Sequence, residues 1–289
     1  DSLSYTFARV GGGLLANAIF CMASLFGVYA VIKSLCLNRS ESIIFYTLLM
    51  TPSFMIYTSV ISKETLLTFC TGVILASLIN VYRIPNYRLP RLLIAFCIYL
   101  LIIIKPQFLP SFFLLAFFVY SKKKSSRLVL LNSVFVIILI FATLAMLPAL
   151  NSLAEVIPTH FSLDGNFTRQ NIFWINKNDI VYFAPKGMLL AWWGPLWDEI
   201  NFWSSIMIVW VESLVITIML VTLIFISNYR SLNKLKFNLS VFTLLFVVLL
   251  ALLANYPLGV FNPGSALRYR SGSFLYIIGL VFFIYKIND

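Results

Sequence analysis

The sequence contains seven apolar runs of roughly the length that crosses a lipid bilayer, and this feature constrains the fold more than any other. About 17–25 apolar residues span the hydrocarbon core as a helix. The chain is 61% hydrophobic and only 11% charged, which excludes both a soluble globular domain and a disordered protein. The runs are 10–32, 43–61, 65–82, 128–147, 203–226, 238–254 and 271–286.

Two shorter apolar runs, 92–104 and 107–120, are joined by Lys105-Pro106. They either cross a locally thinned bilayer or form a re-entrant helical hairpin. The predicted fold is therefore all-α: one polytopic transmembrane helical bundle over 1–289, with about 7–9 membrane segments. Residues 148–202 form the one long polar segment, which we expect to be an extracytoplasmic loop inserted in this single domain.

The distribution of charge predicts the orientation in the membrane. With the spans above, one side carries thirteen basic and two acidic residues, and the other carries eight basic and seven acidic residues. Basic residues collect in cytoplasmic loops, so the first side is predicted to be cytoplasmic, together with the C-terminus. Residue 1 then begins on the outer face, and we expect at least one further span upstream. The net charge of +11 is explained in this way and does not indicate a nucleic-acid partner.

Several function classes lack their usual motifs in this sequence. There is no Walker motif and no glycine-rich dinucleotide fingerprint, so the chain alone is not expected to be a nucleotide-driven pump. The four cysteines are not spaced as metal ligands, and His160 has no further ligands near it in sequence. We therefore predict neither a protein-bound metal nor a disulfide framework.

Ionisable residues beside the apolar runs are the candidate functional residues, because such groups are costly at membrane depth. Asp1 precedes the first run and is either a solvated flank or a general base that faces a lipid-borne substrate. Ser62 can cap the helix that begins near Lys63, and Glu64 suits its first turn. Capping does not explain Lys63, since a cation is unfavourable there, whereas a phosphate partner would explain it.

Two further charges interrupt apolar sequence. Lys105 either extends its ammonium to the interface or contacts an anion at the outer face. Glu212 lies within the run 203–226. It either forms a structural pair with an inward-facing lysine or arginine, or contacts substrate or relays protons.

The sequence Asn262–Arg270 gives the strongest indication of a binding site. Arg268 and Arg270 stand at the outer edge of the last span, where the positive-inside bias disfavours them. Guanidinium groups bind phosphate with two parallel hydrogen bonds. We predict a docking point for a phosphate or pyrophosphate there, with Tyr269 beside it, and simple interface anchoring is the alternative.

Aromatic residues mark the polar segment 148–202. Trp192 and Trp193 lie in a run that is expected to follow the membrane surface. Tryptophan favours that interface, and it also packs against sugar rings. Both interpretations stay open for these two residues.

Four short stretches together resemble the GT-C superfamily of polytopic glycosyltransferases, in particular its bacterial surface-polysaccharide branch. An acidic residue with a following tyrosine opens the first outer loop (Asp1–Tyr5), and a Pro-Ser turn with a Lys-Glu end follows (Pro52–Glu64). Gly264–Arg270 is similar to the R-x-R signature before the last span of that family, and Pro185–Trp197 is similar to exopolysaccharide-cluster members.

The resemblance implies an enzyme of the bacterial inner membrane, with its active site facing the periplasm. It would transfer a sugar from a polyprenyl (undecaprenyl) phosphate or pyrophosphate donor to a glycan acceptor in surface polysaccharide or O-antigen lipopolysaccharide assembly. Asp1 would act as the catalytic base. Lys63, Lys105, Arg268 and Arg270 would hold the lipid phosphate, where fixed cations stabilise the departing charge. The resemblance leaves open whether a divalent cation assists.

Three alternatives remain at this stage, one of which is a non-catalytic assembly subunit. An O-antigen or exopolysaccharide polymerase or ligase would handle the same lipid-linked glycans with another acceptor. A transporter or flippase of lipid-linked sugars should show internal repeats and broken helices that meet at the midplane. The sequence shows no such repeat.

Overall fold

A computed structural model describes residues 2–83, 89–122, 134, 137–138, 141, 145–161, 168–171, 173–196, 199, 205–232 and 239–288. Within these ranges every regular element is a helix, so the predicted all-α class is confirmed for them. The helices are α1 (Ser2–Leu35), α2 (Arg39–Leu49), α3 (Pro52–Thr58), α4 (Lys63–Arg83), α5 (Arg91–Ile104), α6 (Leu109–Lys122), α7 (Leu147–Thr159), α8 (Asp179–Tyr182), α9 (Ala184–Trp193), α10 (Ser205–Leu232), α11 (Leu239–Gly259) and α12 (Pro263–Asn288).

Four helical segments are long and apolar enough to cross a membrane, which indicates a membrane protein. They are Gly12–Leu35, Lys63–Arg83, Met207–Ile226 and Pro263–Ile287. The pair formed by α5 and α6 is bent by 114° at Lys105 and adds a fifth candidate if it counts as one span. The described residues therefore give four or five candidates, and the predicted number of 7–9 is not confirmed.

Two of the predicted spans have a different form in the structure. The run 43–61 is divided between α2 and α3, because Thr51 is extended and Pro52 starts a new helix. Proline has no N–H to donate to the preceding turn and is well placed at the first helical position. The described part of the run 238–254 lies in α11, whose apolar stretch, Thr243–Gly259, is shorter than the four candidate spans. Most of the run 128–147 lies outside the described residues.

Helices α4 and α12 form the largely buried centre of the bundle, and α1 packs beside α4 and runs in the same direction as both. Gly27 of α1 faces Gly72 of α4 so closely that a Cβ on Gly72 would lie 2.6 Å from the Gly27 carbonyl oxygen. One turn along α4, Gly279 of α12 lies against Leu75, and it also approaches Val31 of α1. Small residues at helix crossings allow this close approach, which is typical of helices packed within membranes.

Arg83, the last residue of α4, links α4 to α1 and α12 at one end of the bundle. Its guanidinium donates to the carbonyls of Leu35 and Lys286, which belong to the last turns of α1 and α12. Lys286 also forms an ion pair of 2.6 Å with Glu41 of α2. Cations suit the carbonyl ends of helices, so these contacts hold four helices together at what we call the Arg83 end.

The opposite end is covered by α7, α8 and α9 from the polar segment. Trp174 packs edge-on against Phe261, and its indole N–H donates to the Tyr256 hydroxyl at 2.7 Å. Arg169 forms an ion pair with Glu199 at 2.6 Å and also donates to the carbonyl of Val260. These contacts attach the polar segment to the connection between α11 and α12.

Candidate functional site

The first turn of α4 places a carboxylate against α12, away from the Arg83 end. The Ser62 hydroxyl accepts a hydrogen bond from the Thr65 N–H at 3.1 Å, which confirms the predicted helix cap. Glu64 is 2% exposed, and its Oε1 accepts from Nε of Arg268 at 2.9 Å. The negative charge of a carboxylate at this position is stabilised by the partial positive charge of the helix N-terminus.

The guanidinium of Arg268 is hydrogen-bonded at Nε, and its two Nη nitrogens have no acceptor among the described residues. Its side chain is 50% exposed, and its Nε is bonded to Glu64. The contact with Glu64 therefore anchors the guanidinium while its outer edge is free to bind another acceptor.

Lys105 comes to the same place from the break between α5 and α6. Pro106 follows it and starts a short 3-10 turn, so the chain reverses at this lysine. The ammonium lies 3.5 Å from the centre of the Tyr269 ring, an attractive geometry for a cation and an aromatic face. Lys105 also interacts electrostatically with Lys63, Glu64 and Arg268.

We call Lys63, Glu64, Lys105, Arg268 and Tyr269 the cation cluster. The structure thus brings together five residues that the sequence singled out as candidates for substrate binding. Three cations face one carboxylate, so the group has an excess of positive charge. Lys105 is 7% exposed, and no described residue forms a hydrogen bond or ion pair with its ammonium. Such an arrangement favours an anion with several acceptor oxygens.

Arg270 does not belong to this cluster, which corrects its predicted place at the outer edge. It is 0% exposed and points to the other side of α12, because residues two positions apart on a helix project in nearly opposite directions. Its Nη2 donates to Glu212 at 2.7 Å and to the Ser53 hydroxyl at 2.9 Å. Its Nη1 donates to the Ser213 hydroxyl and to the Trp192 carbonyl.

Glu212 is the centre of this second group, which we call the buried ion pair. Besides the bond from Arg270, its carboxylate accepts from the backbone N–H of Ser53 at 3.0 Å and from the Ser53 hydroxyl. The structure therefore shows the structural pair that the sequence left as one of two interpretations. The pair joins α3, α10 and α12, and the Trp192 carbonyl adds the end of α9.

The two predicted tryptophans occupy different surroundings. Trp192 is buried at 8% exposure, and its indole N–H donates to the Thr217 hydroxyl. Trp193 packs edge-on against Trp210 at 5.8 Å between ring centres. The Trp192 ring is therefore part of the helix packing rather than an accessible surface for a sugar.

Asp1, the predicted catalytic base, lies outside the described residues. Over the part of the chain that the structure describes, no three His, Cys, Asp or Glu residues are grouped as metal ligands. The sequence did not identify Ser53 and Ser213 as partners of Arg270, although Ser53 lies in the Pro52–Glu64 stretch and Ser213 follows Glu212. It also missed the Arg169–Glu199 pair, for which the sequence holds no signal, since thirty residues separate the partners.

Comparison with known proteins gives no family assignment: no family model matches the sequence, and no curated protein or solved structure is similar to it.

Proposed function

We propose that this protein is a membrane glycosyltransferase that takes a sugar from a polyprenyl-phosphate donor and passes it to a glycan acceptor. The resemblance of its short motifs to GT-C enzymes supports this reaction class. The cation cluster supports the donor class, because its residues come from three separate parts of the sequence and converge beside a helix start. The proposal places this end of the bundle on the extracytoplasmic face of a bacterial inner membrane.

One observation carries the proposal: the half-exposed guanidinium of Arg268, which is anchored through Nε and open at both Nη nitrogens. A guanidinium fork matches two oxygens of a phosphate. Glu64 fixes the direction of the fork, so less side-chain freedom is lost when the anion binds. Lys63 and Lys105 add positive charge near it.

The proposed reaction is a substitution at the anomeric carbon of the donor sugar. The acceptor hydroxyl attacks the anomeric carbon, a new glycosidic C–O bond forms, and the bond from that carbon to the phosphate oxygen breaks. The hydroxyl proton passes to a carboxylate, a role that the proposal gives to Asp1. A donor phosphodiester with one negative charge leaves as a phosphate monoester with up to two. Cations held beside that oxygen stabilise the transition state more than the bound donor, and so they accelerate the reaction.

Binding of undecaprenyl phosphate to the protein in lipid nanodiscs tests the proposal. Charged hydrogen bonds contribute about 1.5–3 kcal/mol each, so Arg268→Gln should weaken binding by at least about tenfold. Arg39→Gln is the matched control, because Arg39 is an exposed arginine at the Arg83 end. Equal affinity of Arg268→Gln and wild type would exclude the cation cluster as the phosphate site.

Transfer of a labelled sugar provides the second measurement. Membranes that contain wild-type protein should form a labelled glycan from a polyprenyl-phosphate sugar, and those with Arg268→Gln should form far less. Vesicles with reconstituted protein distinguish the rival class. Movement of the lipid-linked sugar across the bilayer without bond formation would support a transporter in place of an enzyme.

A further inference from the structure

A groove opens on the surface of the polar segment, apart from the cation cluster. It has a volume of about 690 Å³ and lies between α7 on one side and Asn171 and Trp174–Lys177 on the other. Pro148 and Pro158 of α7 and the edge of Trp174 provide apolar surface, while asparagines and charged side chains provide the rest. Ligand sites in proteins are commonly concave with a few polar groups on an apolar frame.

The groove has a rigid wall, formed by the backbone between Trp174 and Asp179. One carboxylate oxygen of Asp179 accepts from the N–H groups of Ile175 and Asn176, at 3.0 and 2.7 Å. Asn178 has a left-handed backbone (φ 70°), and it exchanges two hydrogen bonds of 2.9 Å with the Asn151 side chain. Asparagine tolerates this conformation better than most residues, and the two bonds to Asn151 hold it in place. The wall is therefore shaped before any ligand binds.

Three polar side chains of the groove take no part in the hydrogen bonds that hold its wall. Glu155, Asn176 and Lys177 are exposed, and their side chains form no hydrogen bond or ion pair with another described residue. One is a carboxylate, one an amide and one an ammonium, so together they offer donors and acceptors with no net charge. This set suits a neutral ligand that carries many hydroxyl groups, and it gives no preference to a phosphate.

We infer that this groove binds a neutral stretch of oligosaccharide, with Glu155, Asn176 and Lys177 bonding its hydroxyls and the proline rings contacting its C–H faces. This inference rests on the proposed function in one respect, namely that the oligosaccharide is the acceptor of the transferred sugar. The binding site itself is independent of the reaction.

The position of the groove fits an acceptor. Trp174 packs on Phe261 with 4.8 Å between ring centres, and Phe261 stands two residues before the start of α12. Arg268 lies in the second turn of that helix. The groove and the cation cluster are therefore at the same end of the bundle, so a glycan held in the first can extend toward a donor at the second.

A glycan array probed with the detergent-purified protein tests the inference. Wild type should bind neutral glycans, and the double variant Asn176→Ala/Lys177→Ala should bind about tenfold more weakly, since two hydrogen-bonding side chains are lost. Asn176→Trp, which fills the groove from an exposed position, should abolish binding. Val156→Ala is the control, because Val156 is exposed on α7 and does not line the groove.

Three outcomes would overturn the inference: no neutral glycan bound by wild type, equal binding by wild type and Asn176→Trp, or binding of extended unglycosylated peptides at the groove in place of glycans. Undecaprenyl phosphate binding, measured in parallel, should be unchanged in Asn176→Trp. A protein that binds glycans but not undecaprenyl phosphate would retain the groove and refute the proposed donor site. The reverse result would refute the groove alone.

Discussion

Glu212→Gln removes the negative charge of the buried ion pair while it preserves the shape of the side chain. Both carboxylate oxygens are acceptors in the structure, one for Arg270 and the Ser53 hydroxyl and the other for the Ser53 N–H. An amide has one acceptor oxygen and one NH₂ group, so at least one of these donors would face another donor. The arginine would also stay in the interior without its counter-charge.

The expected cost follows from burial. The side chains of Arg270 and Glu212 are 1% and 4% exposed, so solvent does not screen their interaction. Removing one partner from such a pair costs about 3–5 kcal/mol. We expect Glu212→Gln to lower the free energy of unfolding by an amount in this range. Glu155→Gln is the matched control, and its exposed side chain should change stability by less than about 0.5 kcal/mol.

Unfolding in mixed micelles titrated with a denaturing detergent measures these differences. Arg270→Met should be similarly costly, whereas the double variant Glu212→Leu/Arg270→Met should cost clearly less than the sum, because an apolar pair leaves no isolated charge. Glu212→Gln as stable as wild type, or a double variant equal to the sum of its single variants, would refute the pairing.

Three further predictions concern other parts of the molecule. Gly72→Leu should destabilise the protein by about 1–3 kcal/mol or more, because its side chain would overlap the Gly27 backbone. Thermal unfolding in detergent measures this effect, with Val156→Leu at an exposed position as the control. Asp1→Asn should abolish sugar transfer and leave undecaprenyl phosphate binding intact, and transfer at the wild-type rate would remove Asp1 from the mechanism. Raising ionic strength from about 0.01 to 1 M shortens the screening length roughly tenfold, so phosphate binding at the half-exposed Arg268 should weaken, as titrations at several salt concentrations would reveal.

The helical class could be predicted from the sequence, because long apolar runs have few other ways to satisfy their backbone in lipid. The exact elements could not. The run 43–61 has the composition of one span, yet Thr51 and Pro52 divide it, and the sequence shows the proline without showing how far the chain turns. The bend at Lys105 was likewise visible as an interruption, whereas its angle depends on how α6 and the turn before it pack against α4 and α11.

Part of the candidate site could also be predicted from the sequence. A charge beside an apolar run is conspicuous, so Lys63, Glu64, Lys105 and Arg268 could be named. Their convergence depends on the parallel arrangement of α4 and α12, which no local pattern encodes. Arg270 could not be placed from the sequence, because it stands two residues from Arg268 and has the same chemistry, whereas helix geometry directs it into the interior. Its partner Glu212 is 58 residues away in sequence.

The bond from Arg270 to the Trp192 carbonyl has a consequence for traffic into the protein. If α9 swung away as a hinged cover, this guanidinium would lose an acceptor in surroundings where water could not replace it cheaply. The bond from Arg270 therefore holds the end of α9 against the helices below it. At the donor site proposed above, a lipid-linked substrate would then have to enter sideways from the bilayer, past the exposed side chains of Lys63 and Arg268.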